Sequence, residues 1–293
     1  MVVSVFLIVC VHSSDLRTKL IKKLVSSSDM SSKTVLITGA SSGIGAAFAE
    51  IFAKNAYNLV LVARREKELN TIKKKCEQQS NAHVKILVKD LTHPKAPEEI
   101  YHELKRENIQ IDILINNAGF GEYGSFYKTS WEKEAAMIQV NITALTALTK
   151  LFGQDMIQRK SGTIMNVSSV AAFLPGPLMS VYYATKAYVL SLSEALANDL
   201  QGTGVKVIAL CPGMTKTGFQ DAAGFAEKAE NEERMISAEE VAAYGFNVIQ
   251  KGKPVIAIPG LKNKIIARLG WTLPRTVLAK IIRSVQSGRE KKE

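Results

Sequence analysis

The chain has 293 residues, 46% of them hydrophobic and 22% charged, values that fit a full globular core and exclude a disordered or fibrous chain. Its net charge of +11 sits at the ends: residues from Leu261 onward carry +7 and residues 1–29 carry +2. With so little charge in the middle and no nucleic-acid motif, the balance argues against a nucleic-acid enzyme. Cys10, Cys76 and Cys211 show no metal or redox spacing and the four histidines lie away from every motif, so no metal site is expected and a reducing, cytoplasmic setting fits best.

Val2–Val11 is an apolar run of ten residues, short of the roughly 20 that a helix needs to cross a bilayer. No positive charge precedes it, so residues 1–29 read as an extension outside the fold, with a targeting signal as the alternative. Met30 stands just before the first strand pattern and is a candidate start. From Lys33 on, short apolar runs alternate with amphipathic stretches. Strands are expected at Val35–Ile37, Leu59–Val62, Val84–Val88, Ile111–Ile115, Thr163–Val167, Val205–Leu210 and Val255–Ile258. Continuous apolar runs mean strands covered on both faces, and their alternation with helices means a doubly wound α/β layer. Helices are expected from Gly43, through Glu66 and Lys75, from Pro97 to Glu107, and as one long element from Ser130 to Arg159 with Ser130 as N-cap. The stretch from Met214 to Ile236, with Phe219 and Phe225 among its glycines, is a connection of functional length.

Gly39, Gly43 and Gly45, with Ser41, Ser42 and Ile44 between them, fall where strand one turns into helix one. Glycines there allow a tight turn and a close approach to phosphate, while the helix N-terminus offers unpaired N–H groups to a pyrophosphate. The tip of strand two then selects the nicotinamide cofactor. An acid there would bond the ribose hydroxyls of NAD(H). This chain carries Arg64 and Arg65, whose planar forks suit a phosphate monoester, with Ser41 or Ser42 adding a hydroxyl. NADP(H) is therefore expected over NAD(H); a basic first turn of a solvated helix is the alternative. Asp90, before Leu91, is placed either to accept from an adenine amino group or to cap the turn after strand three. Asn117, Ala118 and Gly119 close strand four, where small residues let backbone approach a cofactor and the asparagines alternatively tie the loop to its neighbours.

Tyr182 and Lys186 are four residues apart and share a helix face. A free phenol has a pKa of about 10, too high for acid–base work at neutral pH. A neighbouring ammonium, helped by the positive nicotinamide of an oxidised cofactor, is expected to lower it.

Together these pieces, with Asn141, Ser168-Ser169 and Cys211-Pro212-Gly213 followed by Thr215 and Thr217, resemble the short-chain dehydrogenase/reductase family from Lys33 to about Pro259. The resemblance implies a Rossmann fold with a seven-stranded parallel sheet over residues 30–260 and hydride transfer between NAD(P)H and a carbonyl or alcohol. It implies Tyr182 as general acid/base, Lys186 as the holder of the nicotinamide ribose and Ser169 as a hydrogen-bond partner of the substrate oxygen. Ser168 would cap the strand end. Asn141 would hold a relay water through its backbone carbonyl, or bind a neighbouring carbonyl as an ordinary helix-interior asparagine. Pro212, Gly213 and Thr217 would close over the nicotinamide. A homo-dimer or homo-tetramer is expected.

The substrate pocket is expected from Phe120, the Phe173–Met179 loop and a lid from Gly218 to Met235, which favours an apolar or amphipathic substrate. Residues 261–293 read as a basic amphipathic helical tail, with Val277, Leu278, Ile281, Ile282 and Val285 in one stripe. That stripe packs on the body or on a second subunit, or else lies on an anionic membrane, which would make the protein a membrane-surface reductase of hydroxysteroid or 3-ketoacyl compounds. A non-catalytic NADP-binding module is the third reading.

Overall fold

The structure, a computed structural model, describes residues 33–224 and 235–287; the N-terminal extension, Phe225 and the basic residues from Arg289 onward lie outside them. Strands β1 (Thr34–Thr38), β2 (Asn58–Ala63) and β3 (Val84–Val88) alternate with helices α1 (Gly43–Lys54), α2 (Glu66–Gln79) and α3 (Ala96–Arg106). After β4 (Ile113–Asn116) come the long helix α4 (Trp131–Gln158), β5 (Gly162–Val167), α5 (Ser180–Asp199) and β6 (Val205–Leu210). A short β7 (Thr215–Lys216) and α6 (Phe219–Ala223) follow, then β8 (Ile236–Ser237), α7 (Ala238–Lys251), β9 (Ile256–Ala257), α8 (Leu261–Thr272) and α9 (Arg275–Ser287).

Seven strands form one parallel sheet in the order β3-β2-β1-β4-β5-β6-β9, and β7 pairs separately with β8. The seven expected strands are all present; β9 is the shortest, paired with β6 at only two positions. Alternate residues of the strands feed two cores. Val35 and Ile37 point toward Phe48 and Phe52 of α1, Leu69 of α2 and Val241 of α7, while Leu36 and Leu114 point toward Ile100 of α3 and Leu148 and Phe152 of α4. Both faces are therefore covered, which is why the strands read as unbroken apolar runs. The third cluster joins Phe173, Leu190 and Cys211 to Ala267 of α8 and Leu278 of α9, so the basic tail is folded onto the body.

The strand order reverses between β1 and β4, the switch point beside which α/β sheets bind ligands. Helix α4 begins with the expected cap, the Ser130 side chain accepting from the Lys133 amide. By length and composition it is apolar enough to cross a membrane, yet here it covers the sheet through Leu145, Leu148, Phe152 and Met156. Its centre, Gln139–Ala144, is a π-helical segment that the sequence pattern did not announce.

Phe52 is fully buried and meets Tyr57 and Phe246 edge-on. Phe52→Ala is expected to lower stability by about 3–5 kcal/mol in urea unfolding; a loss below about 1 kcal/mol would contradict this packing.

Candidate active site

The turn after β1 is built around one threonine. Thr38 Oγ1 accepts from the amides of Asn117 and Ala118, and Asn117 Nδ2 donates to the carbonyls of Thr38 (2.9 Å) and Gly39 (3.3 Å). The asparagine therefore ties the loops after β1 and β4 together. A Cβ at Gly45 would lie 2.3 Å from the Gly39 carbonyl oxygen, and one at Gly39, where φ is +67°, would lie 2.9 Å from Ala118 Cα. These two glycines are required by the turn's own packing.

A cleft of about 610 Å³ opens beside this turn. It is lined by Gly39, Ser41, Ser42, Gly43, Ile44, Arg64, Arg65, Asp90, Leu91, Asn117, Ala118 and Gly119 at one end. Ser169, Tyr182, Lys186, Pro212, Gly213, Thr215 and Thr217 line the other. Gly45 and Asn141 stand behind the lining, the first under the turn and the second behind Phe120. Ser42 is the N-cap of α1, but its hydroxyl makes no capping bond. It accepts from Arg65 Nη2 at 2.7 Å, and Ser41 Oγ accepts from the same nitrogen at 3.0 Å. One guanidinium and two hydroxyls are thus gathered at the tip of β2. Arg64 pairs with Asp90 Oδ2 at 3.8 Å, while Asp90 Oδ1 accepts from the Thr92 amide, the turn-capping role. Burial works against the Asp90 charge, but the Thr92 hydrogen bonds and Arg64 outweigh it and hold the carboxyl below its ordinary range.

Tyr182 and Lys186 share a face of α5 as expected, with Lys186 Nζ 5.8 Å from the centre of the Tyr182 ring. Burial acts on the phenol in the opposite sense to the effect expected of the ammonium and an oxidised cofactor. Burial pushes Tyr182 well above the ordinary tyrosine value, a hydrogen bond with Ser169 offsetting part of the rise. Burial also brings Lys186 down to about 8, and its ammonium donates to the Val167 carbonyl at 2.9 Å. Ser169 caps a short 3₁₀ turn, Val170–Phe173, by accepting from the Ala171 amide. Ser168, expected to cap the strand, instead donates to the Lys186 carbonyl and so fixes α5 against β5. Asn141 sits in the π segment, where Nδ2 donates to the Phe120 carbonyl and to Thr185 Oγ1 and Oδ1 accepts from the Phe120 amide. It positions the loop carrying Gly119, where a Cβ would approach Lys186 Nζ to 3.4 Å.

The short chain dehydrogenase family pattern matches residues 33–228, more than half of the chain. The chain belongs to the short-chain dehydrogenase/reductase family. It is an NAD(P)-dependent oxidoreductase. It is similar to mouse 17-beta-hydroxysteroid dehydrogenase type 3, with 35% identity over 181 residues that cover 60% of this chain and 58% of that enzyme. Among solved structures it resembles a short-chain dehydrogenase from Sphingobium yanoikuyae in complex with NADPH, at 34% identity and a TM-score of 0.73, covering 89% of this chain and 98% of that one. It also resembles a family member from Burkholderia phymatum in complex with NAD, at 25% identity and a TM-score of 0.74, covering 89% and 97% of the two chains.

The remaining wall of this short-chain dehydrogenase's cleft differs from expectation. Phe120, Leu174 and Met179 line it, but Phe173 turns away, buried against Trp271 and Gly270 of α8. Phe219 of α6 stacks at a tilt on Tyr182, 5.2 Å between ring centres; residues 225–234 of the expected lid lie outside the described ones. Wall residues with no place in the sequence reading include Tyr183 and Gln286 of α9. Gln286 is 1% exposed; its Nε2 donates to Tyr183 Oη at 2.9 Å, and its carbonyl accepts from Tyr123 Oη at 2.7 Å. The available signal was spacing, since Leu278, Ile282 and Gln286 recur every fourth residue on one face.

The buried lysine makes stability depend on pH. Its pKa is about 8 folded against an ordinary 10.5, so the cost of burying the ammonium is full below pH 8 and disappears as pH rises toward 10.5. Unfolding of the cofactor-free protein should show Lys186→Met gaining on wild type most at about pH 7, the advantage shrinking by on the order of 3 kcal/mol by about pH 10. An advantage independent of pH would show that Lys186 is not desolvated.

Proposed function

We propose that the chain is an NADP(H)-dependent reductase of apolar or amphipathic carbonyl compounds, with Tyr182 as proton donor. What supports this reading is the placement of Ser169, Tyr182 and Lys186 in the same cleft as Arg65 with its two serine hydroxyls. The residues present fit the cofactor. The uncapped N-terminus of α1 offers N–H groups to a pyrophosphate, and Arg65, Ser41 and Ser42 offer donors to a 2′-phosphate. Arg64 and Asp90 flank the adenine end, Leu91, Ala118 and Ile44 supply apolar walls, and Pro212, Gly213, Thr215 and Thr217 border the nicotinamide end. When bound, NADPH supplies the hydride.

The chain's own part is proton chemistry. Tyr182, which burial keeps neutral, carries the proton that reduction of a carbonyl oxygen requires. Ser169 holds that oxygen by a second hydrogen bond and also reaches Tyr182. Lys186, with a pKa of about 8, binds the ribose side and can return a proton to Tyr182 at neutral pH. Asn141 acts from behind by fixing Phe120 and Thr185 around the pair.

A second reading, catalysis at a membrane surface, is favoured by one observation. On α8 and α9, Leu261, Ile265, Leu269, Trp271, Val277, Ile281 and Val285 are exposed beside six cations, and residues 261–287 contain no acid. Leu278 and Gln286 face the body, leaving Val277, Ile281 and Val285 outward. Apolar and basic side chains on one surface suit an anionic bilayer. Sedimentation with anionic vesicles, weakened by Ile281→Ser with Val285→Ser, would carry this reading. A solution dimer dissociated by the same changes, with no vesicle binding, would replace it with a subunit contact.

Tyr182→Phe should lower NADPH oxidation by a screened ketone by at least roughly a thousandfold while leaving NADPH binding intact; retained turnover would remove the proton-donor role. Arg65→Ala should shift the NADPH-over-NADH ratio of kcat/KM by roughly ten- to a hundredfold toward NADH. An unchanged ratio would refute the phosphate-binding role.

A further inference from the structure

A second cavity of about 510 Å³ adjoins the cleft. Its lining is mainly apolar, including Phe126, Leu174, Pro177 and Leu178 beside the hydroxyls of Ser125, Tyr127, Ser180 and Tyr183; Arg275 and Arg283 of α9 line it too, and no described residue that lines it is a carboxylate. Leu174 and Tyr183 line both cavities. Helix α9 also serves both, with Gln286 in the cleft and Arg283, one turn earlier, in the second cavity. The shared wall is fixed by α9, because Gln286 holds the Tyr183 hydroxyl.

We propose that this second cavity receives the acidic end of the carbonyl substrate: a flexible chain leaves the cleft over Leu174 and Tyr183, lies on the apolar walls, and ends in a carboxylate paired with Arg275 and Arg283. This deepens the reading of the cleft as the site of carbonyl reduction, and rests on it. Two guanidiniums with planar forks recognise a carboxylate in a way a single ammonium does not. A lining that is mainly apolar favours a hydrocarbon chain over a sugar or a short polyol. The substrate class is therefore an oxo-carboxylate of medium or long chain, its ketone remote from its acid.

The test uses the full chain with NADPH and a homologous series of methyl-ketone carboxylates of increasing length. Each is paired with its methyl ester, with neutral methyl ketones as the reference. Above a threshold length the free acid should exceed its ester in kcat/KM by roughly tenfold or more, mostly through KM. Arg275→Gln with Arg283→Gln should abolish that preference, leaving the neutral ketones unchanged, which also shows that the variant folds. Equal acid and ester turnover at every length would overturn the inference, as would a preference that survives the double substitution. Vesicle binding lost in the double variant with an unchanged acid preference would assign the arginines to lipid and overturn it too. If the neutral ketones themselves are not reduced, the carbonyl reading falls first and takes this inference with it.

Discussion

Desolvation of Tyr182 and Lys186 governs the chemistry this fold can support. Both groups lie at the carboxyl end of the sheet, under Phe219 and beside the Val167 carbonyl, and burial disfavours the charged form of each. A phenol in that setting keeps its proton and an ammonium loses its own more readily. That desolvation is a property of the walls around the pair and not of the pair's spacing. It also explains why Ser168, Asn141 and Thr185 are spent on holding backbone: a desolvated pair works only if its neighbours cannot drift.

The fold was legible because each strand is covered on both faces. Val35, Leu36 and Ile37 alternate between two cores, so the sequence shows an unbroken apolar run and no ambiguity about a solvent face. The turn after β1 and the tip of β2 were legible for a different reason. Glycines at 39 and 45 and an arginine at 65 are local requirements of one turn and one strand tip, and local requirements survive in sequence. Gly45 nevertheless serves packing under Asn117 and does not line the cleft. Asp90 likewise shows the turn-capping bond that its position allowed.

What the sequence hid depends on contacts between distant segments. The rise of the Tyr182 pKa comes from burial by Phe219 and the cleft walls, while the Tyr/Lys spacing shows only the ammonium. Phe173 reads as a pocket residue until α8 is seen to cover it. Gln286 lies 103 residues from Tyr183 and looks like one polar position in a basic helix. The π segment around Asn141 has no periodicity signal at all, since its side chains follow the same apolar rhythm as the rest of α4. The tail, which composition alone makes an appendage, contributes a wall of the cleft.

If burial sets the Tyr182 phenol, it holds its proton above the ordinary tyrosine range in the cofactor-free protein. Ultraviolet titration of tyrosinate in the cofactor-free protein, taken as wild type minus Tyr182→Phe, measures this directly. The difference signal should appear only well above the ordinary tyrosine value of about 10. A phenolate already present near neutral pH would contradict it.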